Sequence, residues 1–427
     1  MASSPARYRG GATERRALIL GCHGGVGRAV LALLETTPPG RRLQERLDAV
    51  LLADREPPPG PALLTSGTLL PPTSVGAAED LAGLVREHHI TDVVDLSSID
   101  TVDCMRACDE LDADFLCTSV EEWPGRGSIP TDEAIARLLP SRRPALGRRG
   151  HLVGSGANPG IVNALVFAGL EDFAGRVGVR PTTAELDLHA VLITEEDTTA
   201  ERGGLEVQDV FPMTWSPWHC LEELFEPRAF AARGGRVVGL GHRPTSRLYR
   251  ARCGDRLIDG MAVPHEEVST LARRLSEVEI AFLYRIPAAA RRALAARPEW
   301  SSAERWPIRR LYPPWTEAIG GQDRVGVLLC SRRFGELWMG FDTKVAAGLA
   351  LGTNATQLQV AAGVLAGWTQ LGRRTGISFV EDLDWREFLE VACEVLGPTT
   401  SFHDPSAHPR SLSERIVRAD DDANGAR

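Results

Sequence analysis

The sequence predicts an α/β protein with an N-terminal doubly wound parallel sheet, followed by an α+β second domain whose sheet is mostly antiparallel. Three observations predict this fold. Short apolar strands alternate with helical segments over residues 17–120, which is the spacing of βαβ units. A glycine-rich turn joins the first strand to the first helix. From about 180 to 340, longer strands such as "RVGVLLCSRRFGELWMGF" replace that alternation.

The elements of the first half follow in a regular order. The strand "ALIL" enters the glycine turn, a helix begins near Gly27, and the strand "DAVLLAD" ends at Asp54. The apolar strands "ITDVVDLSS" and "ADFLCTSV" are separated by the helix "VDCMRACDEL". Near-continuous apolar strands suit a sheet that is buried on both faces, and such sheets bind ligands at the carboxyl ends of their strands.

Composition shifts divide the chain. Residues 1–15 are polar and predict a disordered tail, and the Pro- and Gly-rich segment 140–150 marks a boundary. We expect a Rossmann-type domain over 16–150, a substrate domain over 151–345, and a polar tail over 399–427 that is disordered from about Thr400. The run "NATQLQVAAGVLAGWTQL" predicts a long buried helix within 346–398, a segment expected to pack back on the first domain.

Net charge indicates which kinds of molecule the protein could bind, and cysteine content indicates the cellular compartment. A net charge of −9 argues against nucleic acid or an anionic membrane and favours cationic small molecules. Eight cysteines without a CxxC pair indicate reduced thiols in a cytoplasmic protein. No apolar run approaches the roughly 20 residues of a membrane span. Lys344 is the only lysine, so a Schiff base to the protein could form only there.

The glycine turn predicts a dinucleotide site. Gly21, Gly24, Gly25 and Gly27, with Val26 between the last two, give G-x-x-G-G-x-G between a strand and a helix. Such a turn lets the backbone approach a pyrophosphate at the helix N-terminus. Asp54, at the end of the next strand, would accept hydrogen bonds from the ribose hydroxyls and repel a 2′-phosphate, which favours NAD over NADP.

A second stretch, "FPMTWSPWHCLEELFE" (211–226), combines tryptophans with acids in a chain that is only 6% aromatic. It contains Trp215, Trp218, Glu222, Glu223 and Glu226. It is either a surface patch or part of a pocket for a cation, since aromatic faces and carboxylates both attract ammonium groups.

Several islands of sequence resemble bacterial homospermidine synthase, within the saccharopine dehydrogenase-like superfamily. They span roughly residues 17 to 398 and occur in order: "DLSSID", "TSVEEWPG", "GSGANPGIVNAL", "ITEEDTT", "MTWS", "GMAVPHEE", "DRVGVLLCSRR", "LWMGF", "NATQLQVAAGVLAG" and "FLEVACEVLGP". The resemblance implies NAD-dependent aminobutyl transfer between diamines. Putrescine is oxidised to an imine, ammonia leaves, a second amine adds, and the same cofactor returns the hydride. We also expect a homodimer, no metal, and diamines or polyamines as the small-molecule partners.

The resemblance also implies roles for individual residues. Trp215 corresponds to the family's substrate-site tryptophan, whose ring face binds the ammonium. Glu223 and Glu195 match acids that pair with an amine, and Asn158 would orient the substrate near the nicotinamide. His265 and Glu267 match a His-x-Glu pair, in which a histidine with a pKa near neutrality would take the proton from the amine.

Five further residues are assigned more peripheral roles. Asp197 lies beside Glu195 in "TEEDTT" and is expected to bind substrate. Glu121 and Trp123 match a family Glu-Pro-Trp run that closes the first domain over the substrate tunnel. Ser97 and Thr118, at the carboxyl ends of their strands, would line the cofactor.

Structural alternatives remain open for several of these residues. Trp215 could be interdomain core, and His265 could simply precede a helix whose first turn holds Glu266 and Glu267, where the helix dipole favours acids. The Trp218, His219 and Cys220 cluster fits packing better than a zinc site. Departures from the family, such as "TEEDTT" and "FDTK" with Lys344, lie around the predicted amine pocket.

Two rival functions also remain open. A saccharopine or carboxynorspermidine dehydrogenase-type enzyme would couple an amine or amino acid to a carbonyl and consume NADH. It would hold a substrate carboxylate with arginines, for which Arg202, Arg228 and Arg324 are candidates. The other rival is a non-catalytic NAD-binding regulator.

Overall fold

A computed structural model describes residues 14–57, 66–123, 129–203, 210–300 and 302–417. Almost all of the predicted N-terminal tail, residues 1–13, lies outside the described residues, as do the last ten residues of the predicted polar tail. In the described part, no helix has the length and apolar character needed to cross a membrane.

The helices and strands are named here in chain order. The helices are α1 (Gly25–Thr36), α2 (Pro38–Gln44), α3 (Ala78–Glu87), α4 (Thr101–Glu110), α5 (Thr131–Ala136), α6 (Ile161–Val177), α7 (Pro217–Leu224), α8 (Glu266–Ala272), α9 (Ala288–Ala296), α10 (Val345–Leu349), α11 (Ala355–Gln370) and α12 (Trp385–Leu396). The first ten strands are β1 (Arg16–Leu20), β2 (Ala49–Ala53), β3 (Thr68–Leu69), β4 (Asp92–Asp95), β5 (Asp114–Cys117), β6 (Gly150–Leu152), β7 (Leu188–Asp197), β8 (Ala200–Glu201), β9 (Phe211–Met213) and β10 (Phe230–Arg233). The others are β11 (Arg236–Gly239), β12 (Leu248–Cys253), β13 (Arg256–Ala262), β14 (Glu279–Arg285), β15 (Ile308–Arg310), β16 (Ile319–Gly320), β17 (Gln322–Ser331), β18 (Gly335–Lys344), β19 (Gly376–Ser378) and β20 (Thr400–Asp404).

The N-terminal strands form a seven-stranded parallel sheet in the order β3-β2-β1-β4-β5-β6-β19. The strands β2, β1, β4 and β5 are almost wholly buried because helices cover both faces of the sheet. The order 3-2-1-4-5-6 is typical of dinucleotide-binding sheets, which bind their ligand where the order reverses, between β1 and β4.

The second sheet is mixed and mostly antiparallel, in the order β11-β10-β14-β7-β17-β18-β20, with β12 and β13 paired beside β14. Among the described strands of this sheet, the β14–β7 pair alone is parallel. The central strands β7 and β17 are buried along most of their length, with core side chains on both faces. The predicted fold class is therefore confirmed.

Helix α11 connects the two sheets. It is buried along nearly its whole length, as its continuous apolar sequence predicts, and Asn354 caps its N-terminus by accepting a hydrogen bond from the Gln357 N–H. It packs against α1 and α12, and the Trp368 indole donates to Asp92 of β4. After α11 the chain returns to the parallel sheet as β19, next to β6.

The prediction of disorder from Thr400 is wrong for the described residues. Thr400–Asp404 forms β20, which pairs with β18, and the chain then crosses the outer side of the sheet. Leu412 is buried there, and the buried Arg415 guanidinium forms an ion pair with Glu336. Polar side chains such as those of Ser401 and Asp404 gave this strand the composition of a disordered tail, but its backbone hydrogen bonds do not depend on composition.

Candidate active site

The glycine turn lies at the carboxyl end of β1, where the order of the parallel sheet reverses. Gly21 has a φ of +71°, donates its N–H to the Ala53 carbonyl, and would bring a Cβ to 2.5 Å from the Leu96 carbonyl oxygen. A Cβ on Gly27 would lie 2.8 Å from the Cys22 Cα. These two glycines are therefore required by the turn itself, and the first N–H groups of α1, at its end, have no acceptor within the helix.

Asp54 is held beside this turn by backbone donors. Its Oδ2 accepts the His23 N–H at 2.9 Å, and its Oδ1 accepts the Glu56 N–H at 3.2 Å. Ser97 follows β4 and donates its hydroxyl to Asp95, whose pKa is raised to about 7 by burial. Thr118 follows β5 and is half-buried. The predicted cofactor residues thus gather at one edge of the parallel sheet.

A second group of residues gathers where β7, β14 and β17 meet. Glu195 and Asp197 are two residues apart on β7 and therefore face the same side of the sheet. Tyr284 on β14 is in register with Glu195, and Asp323 on β17 is in register with Asp197. All four side chains are at least 97% buried.

Each of the three carboxylates in this group has a specific hydrogen-bond donor. Asn158, in the turn before α6, donates to Glu195 at 2.7 Å. Thr214 donates to Asp197 at 2.5 Å, and Thr356 of α11 donates to Asp323 at 2.6 Å. The Oδ1 atom of Asp323 has no hydrogen-bond partner among the described residues.

Burial and mutual repulsion raise the pKa of these acids. Burial, followed by the charge of Asp197, raises the pKa of Glu195 to about 8. Burial likewise raises the pKa of Asp197 and Asp323 above the ordinary value for aspartate. A buried carboxylate that lacks a compensating cation favours its neutral form, so this site is short of positive charge.

Trp215 lies beside these acids, between β9 and α7. Its ring is half-buried, and its indole N–H donates to the Tyr284 hydroxyl at 3.2 Å. Ser216 caps α7, where its Oγ lies 3.4 Å from the His219 N–H. Trp218 is on the outer side of α7 with 40% of its surface exposed, so only the first tryptophan of the stretch faces the acids.

Helices α7 and α8 add a histidine with three glutamates around it. His265 immediately precedes α8, and its Nδ1 is bonded to the fully buried Glu267 carboxylate. Its Nε2 is 4.0 Å from the Glu223 carboxylate, and its Nδ1 is 3.8 Å from that of Glu266. Glu266 also accepts the Val120 N–H at 3.1 Å, which joins α8 to the loop after β5. His265 therefore precedes the helix, as the structural alternative predicts, and also pairs with Glu267, as the resemblance implies.

The expected near-neutral pKa of His265 is wrong. Burial alone would lower the pKa, but Glu267, Glu223 and Glu266 together raise it to about 10. The three neighbouring carboxylates thus favour the protonated imidazole. Burial also raises the pKa of Glu223 well above the ordinary value for glutamate, and His265 opposes this shift.

Trp123 does not join this group. It is 6% exposed, packs in the core of the parallel-sheet domain, and donates its indole N–H to Asp103 at 2.9 Å. The ring and its indole N–H are therefore engaged by its own domain. Glu121 does lie near α7, because its Oε2 is 3.6 Å from the His219 Nε2.

The arginines of the rival function are not among these acids. Arg324 neighbours Asp323 on β17 and so points to the opposite face, where it contacts Asp342 at 2.7 Å and Glu196 at 3.9 Å. Arg228 is exposed and pairs with Asp132 at 2.9 Å. Arg202 is exposed beside Gly320.

Sequence reasoning missed Tyr284 and Asp323. Each occupies the end of an apolar strand, and only the pairing of β14 and β17 with β7 brings them to Glu195 and Asp197. The acid that opens the island "DRVGVLLCSRR" was the available signal, because an acid at the edge of a buried strand needs a partner or a ligand.

Comparison with known proteins agrees with this architecture. No family model matches the chain. It is 28% identical over 359 residues to the homospermidine synthase of Blastochloris viridis, covering 73% of this chain and 74% of that protein. It is 24% identical over 359 residues to the homospermidine synthase of Mesorhizobium japonicum, covering 72% and 74%.

Solved structures give the same result. The homospermidine synthase of Legionella pneumophila, crystallised in complex with NAD, superposes with a TM-score of 0.76 at 18% identity, over 95% of this chain and 98% of that chain. The chain is homospermidine synthase-like in sequence and in fold. Apo saccharopine dehydrogenase (L-Glu forming) from Saccharomyces cerevisiae shares the fold with a TM-score of 0.52 at 12% identity, over 91% of this chain and 100% of that chain. The predicted resemblance is confirmed.

Proposed function

We propose that the protein catalyses NAD-dependent aminoalkyl transfer between diamines or polyamines. One observation carries this proposal: the buried carboxylates of Glu195, Asp197 and Asp323 gather on neighbouring strands beside Tyr284, whose hydroxyl accepts the Trp215 indole N–H. Burying carboxylates without a counter-charge is unfavourable, and a ligand with two ammonium groups supplies that charge. The likeness to homospermidine synthases of Blastochloris viridis and Mesorhizobium japonicum supports the same activity.

The cofactor end fits NAD. The glycine turn opens α1 at the switch point of the sheet, and the Asp54 carboxylate is fixed there by two backbone N–H groups. The proposed contacts are Gly21, Gly24, Gly25, Val26, Gly27, Asp54, Ser97 and Thr118. When bound, NAD would take a hydride from the amine-bearing carbon and return it at the end of the cycle.

In the proposed amine pocket, different residues bind the substrate and transfer protons. The Trp215 face would hold the remote ammonium, with Asp197 and Glu121 as further substrate contacts. Asn158 holds Glu195 by a hydrogen bond, and the pKa of Glu195 is raised to about 8. A group whose pKa lies near neutrality can accept a proton from the reacting ammonium and return it later in the cycle. The protonated His265, paired with Glu267 and close to Glu223, would donate a proton to the departing ammonia.

The rival functions have less support. Arg324 and Arg228 pair with acids elsewhere, so the carboxylate clamp of an amino acid dehydrogenase lacks its predicted arginines. Lys344 is exposed at the end of β18, and we propose no covalent adduct to it.

The division into domains at about 150 and 345, the homodimer and the cytoplasmic location remain proposals. Light scattering tests the dimer.

The deciding experiment is incubation with NAD and putrescine labelled at its nitrogens, followed by mass spectrometry and NADH absorbance. We expect homospermidine and labelled ammonia with no net NADH. Net conversion between NAD and NADH with the coupled product would favour the dehydrogenase. NAD binding without turnover across a panel of diamines would favour the regulator.

A further inference from the structure

The second glycine of the Gly24–Gly25 pair packs against a residue more than 300 positions away. A Cβ on Gly25 would lie 2.5 Å from the Cδ of Gln357 and would overlap its amide group. Gly25 is the first residue of α1 and does not have a positive φ. The absence of a side chain here is therefore explained by Gln357, in addition to any ligand at the helix N-terminus.

Gln357 is fixed at both ends of its amide. It lies in the first turn of α11, is 2% exposed, and accepts a hydrogen bond from the Thr353 hydroxyl at 2.9 Å. Its Nε2 donates to the Thr214 carbonyl at 3.2 Å, and the Asn354 amide donates to the same oxygen at 2.6 Å. The side chain cannot move from Gly25 without breaking buried hydrogen bonds.

Thr214 links Gln357 to the acids of the amine pocket. Its hydroxyl donates to Asp197 at 2.5 Å, and the next residue in the chain is Trp215. An unbroken set of buried contacts thus runs from the glycine turn through Gln357 and the Thr214 backbone to the acid and the aromatic ring.

We propose that Gln357 is a positioning residue that couples the cofactor turn to the amine pocket, an inference that rests on the proposed function. A nucleotide that orders the glycine turn fixes Gly25 against Gln357, and Gln357 then holds Thr214 and Trp215 where an ammonium can bind. NAD and diamine should therefore each tighten the binding of the other by the same factor.

The test is a double-mutant cycle with Gly25→Ala and Gln357→Ala. The dissociation constant of putrescine is measured by calorimetry with and without saturating NADH, a form of the cofactor that cannot oxidise the amine. In the parent protein NADH should tighten putrescine binding about tenfold, a typical coupling. Gln357→Ala should abolish this coupling, and Gly25→Ala should weaken putrescine binding much less in the Gln357→Ala background than in the parent.

Gln370→Ala is the matched control. Gln370 is an equally buried glutamine at the other end of α11, where its amide is bonded to the Asp384 backbone, so its loss should leave the coupling unchanged. Equal damage by Gly25→Ala in both backgrounds, or full coupling in Gln357→Ala, would overturn the proposal. A parent protein that binds NADH but no diamine would instead refute the proposed function, and the coupling with it.

Discussion

Trp215 holds charge without competing for protons. The carboxylates near it attract an ammonium from many directions, whereas an aromatic face attracts the cation along one direction and contains no proton acceptor. Its hydrogen bond to Tyr284, itself buried between Phe282 and the acids, fixes the ring plane. We therefore assign affinity to Glu195 and Glu223 and geometry to Trp215.

This assignment predicts a graded loss of activity. Trp215→Ala should reduce turnover of diamines ~10²-fold or more, because misplacement of the reacting carbon by about 1 Å has that effect. Trp215→Phe keeps a weaker face, loses the bond to Tyr284, and should retain partial turnover. Trp218→Phe is the control, since Trp218 is on the exposed side of α7. A folded Trp215→Ala variant that turns over diamines like the parent would show that the ring is ordinary core.

The charge of Asp54 predicts that the protein prefers NAD to NADP. Replacing it with Ser removes a charge that repels a 2′-phosphate, while the neighbouring Arg55, with 75% of its side chain exposed, remains available to attract one. Asp54→Ser should shift the ratio of NAD to NADP dissociation constants toward NADP by about tenfold, which corresponds to about 1.4 kcal/mol. Glu56→Ser, two residues away, is the control for a general change in surface charge. Tighter binding of NADP by the unmodified protein would contradict the assignment.

Glu195 predicts how stability depends on pH. Its pKa in the folded protein is about 8 against an ordinary 4.5, so the folded state binds more protons than the unfolded state between these values. Stability should therefore fall as pH rises through this window, with the full loss reached above the folded-state pKa. Glu195→Gln removes this source of the loss.

Thermal unfolding without ligands at about pH 6 and about pH 9 checks this sign. The decrease in Tm between the two conditions should be smaller in Glu195→Gln than in the parent by at least ~2–4 °C, the size of about 1 kcal/mol in a domain of this length. Added putrescine should restore parent stability at the higher pH. Parallel decreases in the two proteins would exclude Glu195 as the source.

Among the secondary-structure elements, those that depend on the pattern of neighbouring residues were predicted correctly. The glycine turn, the apolar strands ending at Ala53 and Asp95, and helix α11 follow from runs of neighbouring residues. Strand β20 and the partners Tyr284 and Asp323 depend on which strands pair, and that is set by contacts between distant residues. Trp123 was misplaced for the same reason, since only the fold shows that Asp103 satisfies its indole.

The C-terminal segment makes a testable prediction. Arg415 is buried with Glu336 beneath the strand pair β18–β20, and the Leu412 N–H is bonded to Glu279 at 2.8 Å. Arg415→Ala would leave the Glu336 carboxylate buried without its partner and should lower the free energy of unfolding by ~3–5 kcal/mol. Urea unfolding measures it, with the exposed Arg410→Ala as the control. A change in Arg415→Ala no larger than the control's would mean that this segment is not docked.

For the whole molecule, the decisive feature is a group of buried acidic side chains located between two sheets. The parallel sheet supplies the cofactor turn, the mixed sheet supplies the acids, and α11 with the loop after β5 contacts both. The net charge of −9 increases the encounter rate with cationic amines, and the buried acids gain charge when an amine binds beside them.

Proton release on amine binding is the prediction that follows from this charge. At neutral pH Glu195 is largely protonated in the free protein, and a bound diammonium should favour its ionised form, so binding releases about one proton. Release should vanish as pH rises above about 8, since the group is then already ionised. Calorimetry of putrescine binding without NAD, in buffers with different enthalpies of ionisation, counts the protons. Glu195→Gln should bind putrescine more weakly and release fewer protons than the parent at neutral pH. Release that persists in Glu195→Gln but is lost in His265→Gln would assign the proton to the histidine and contradict this account of the site.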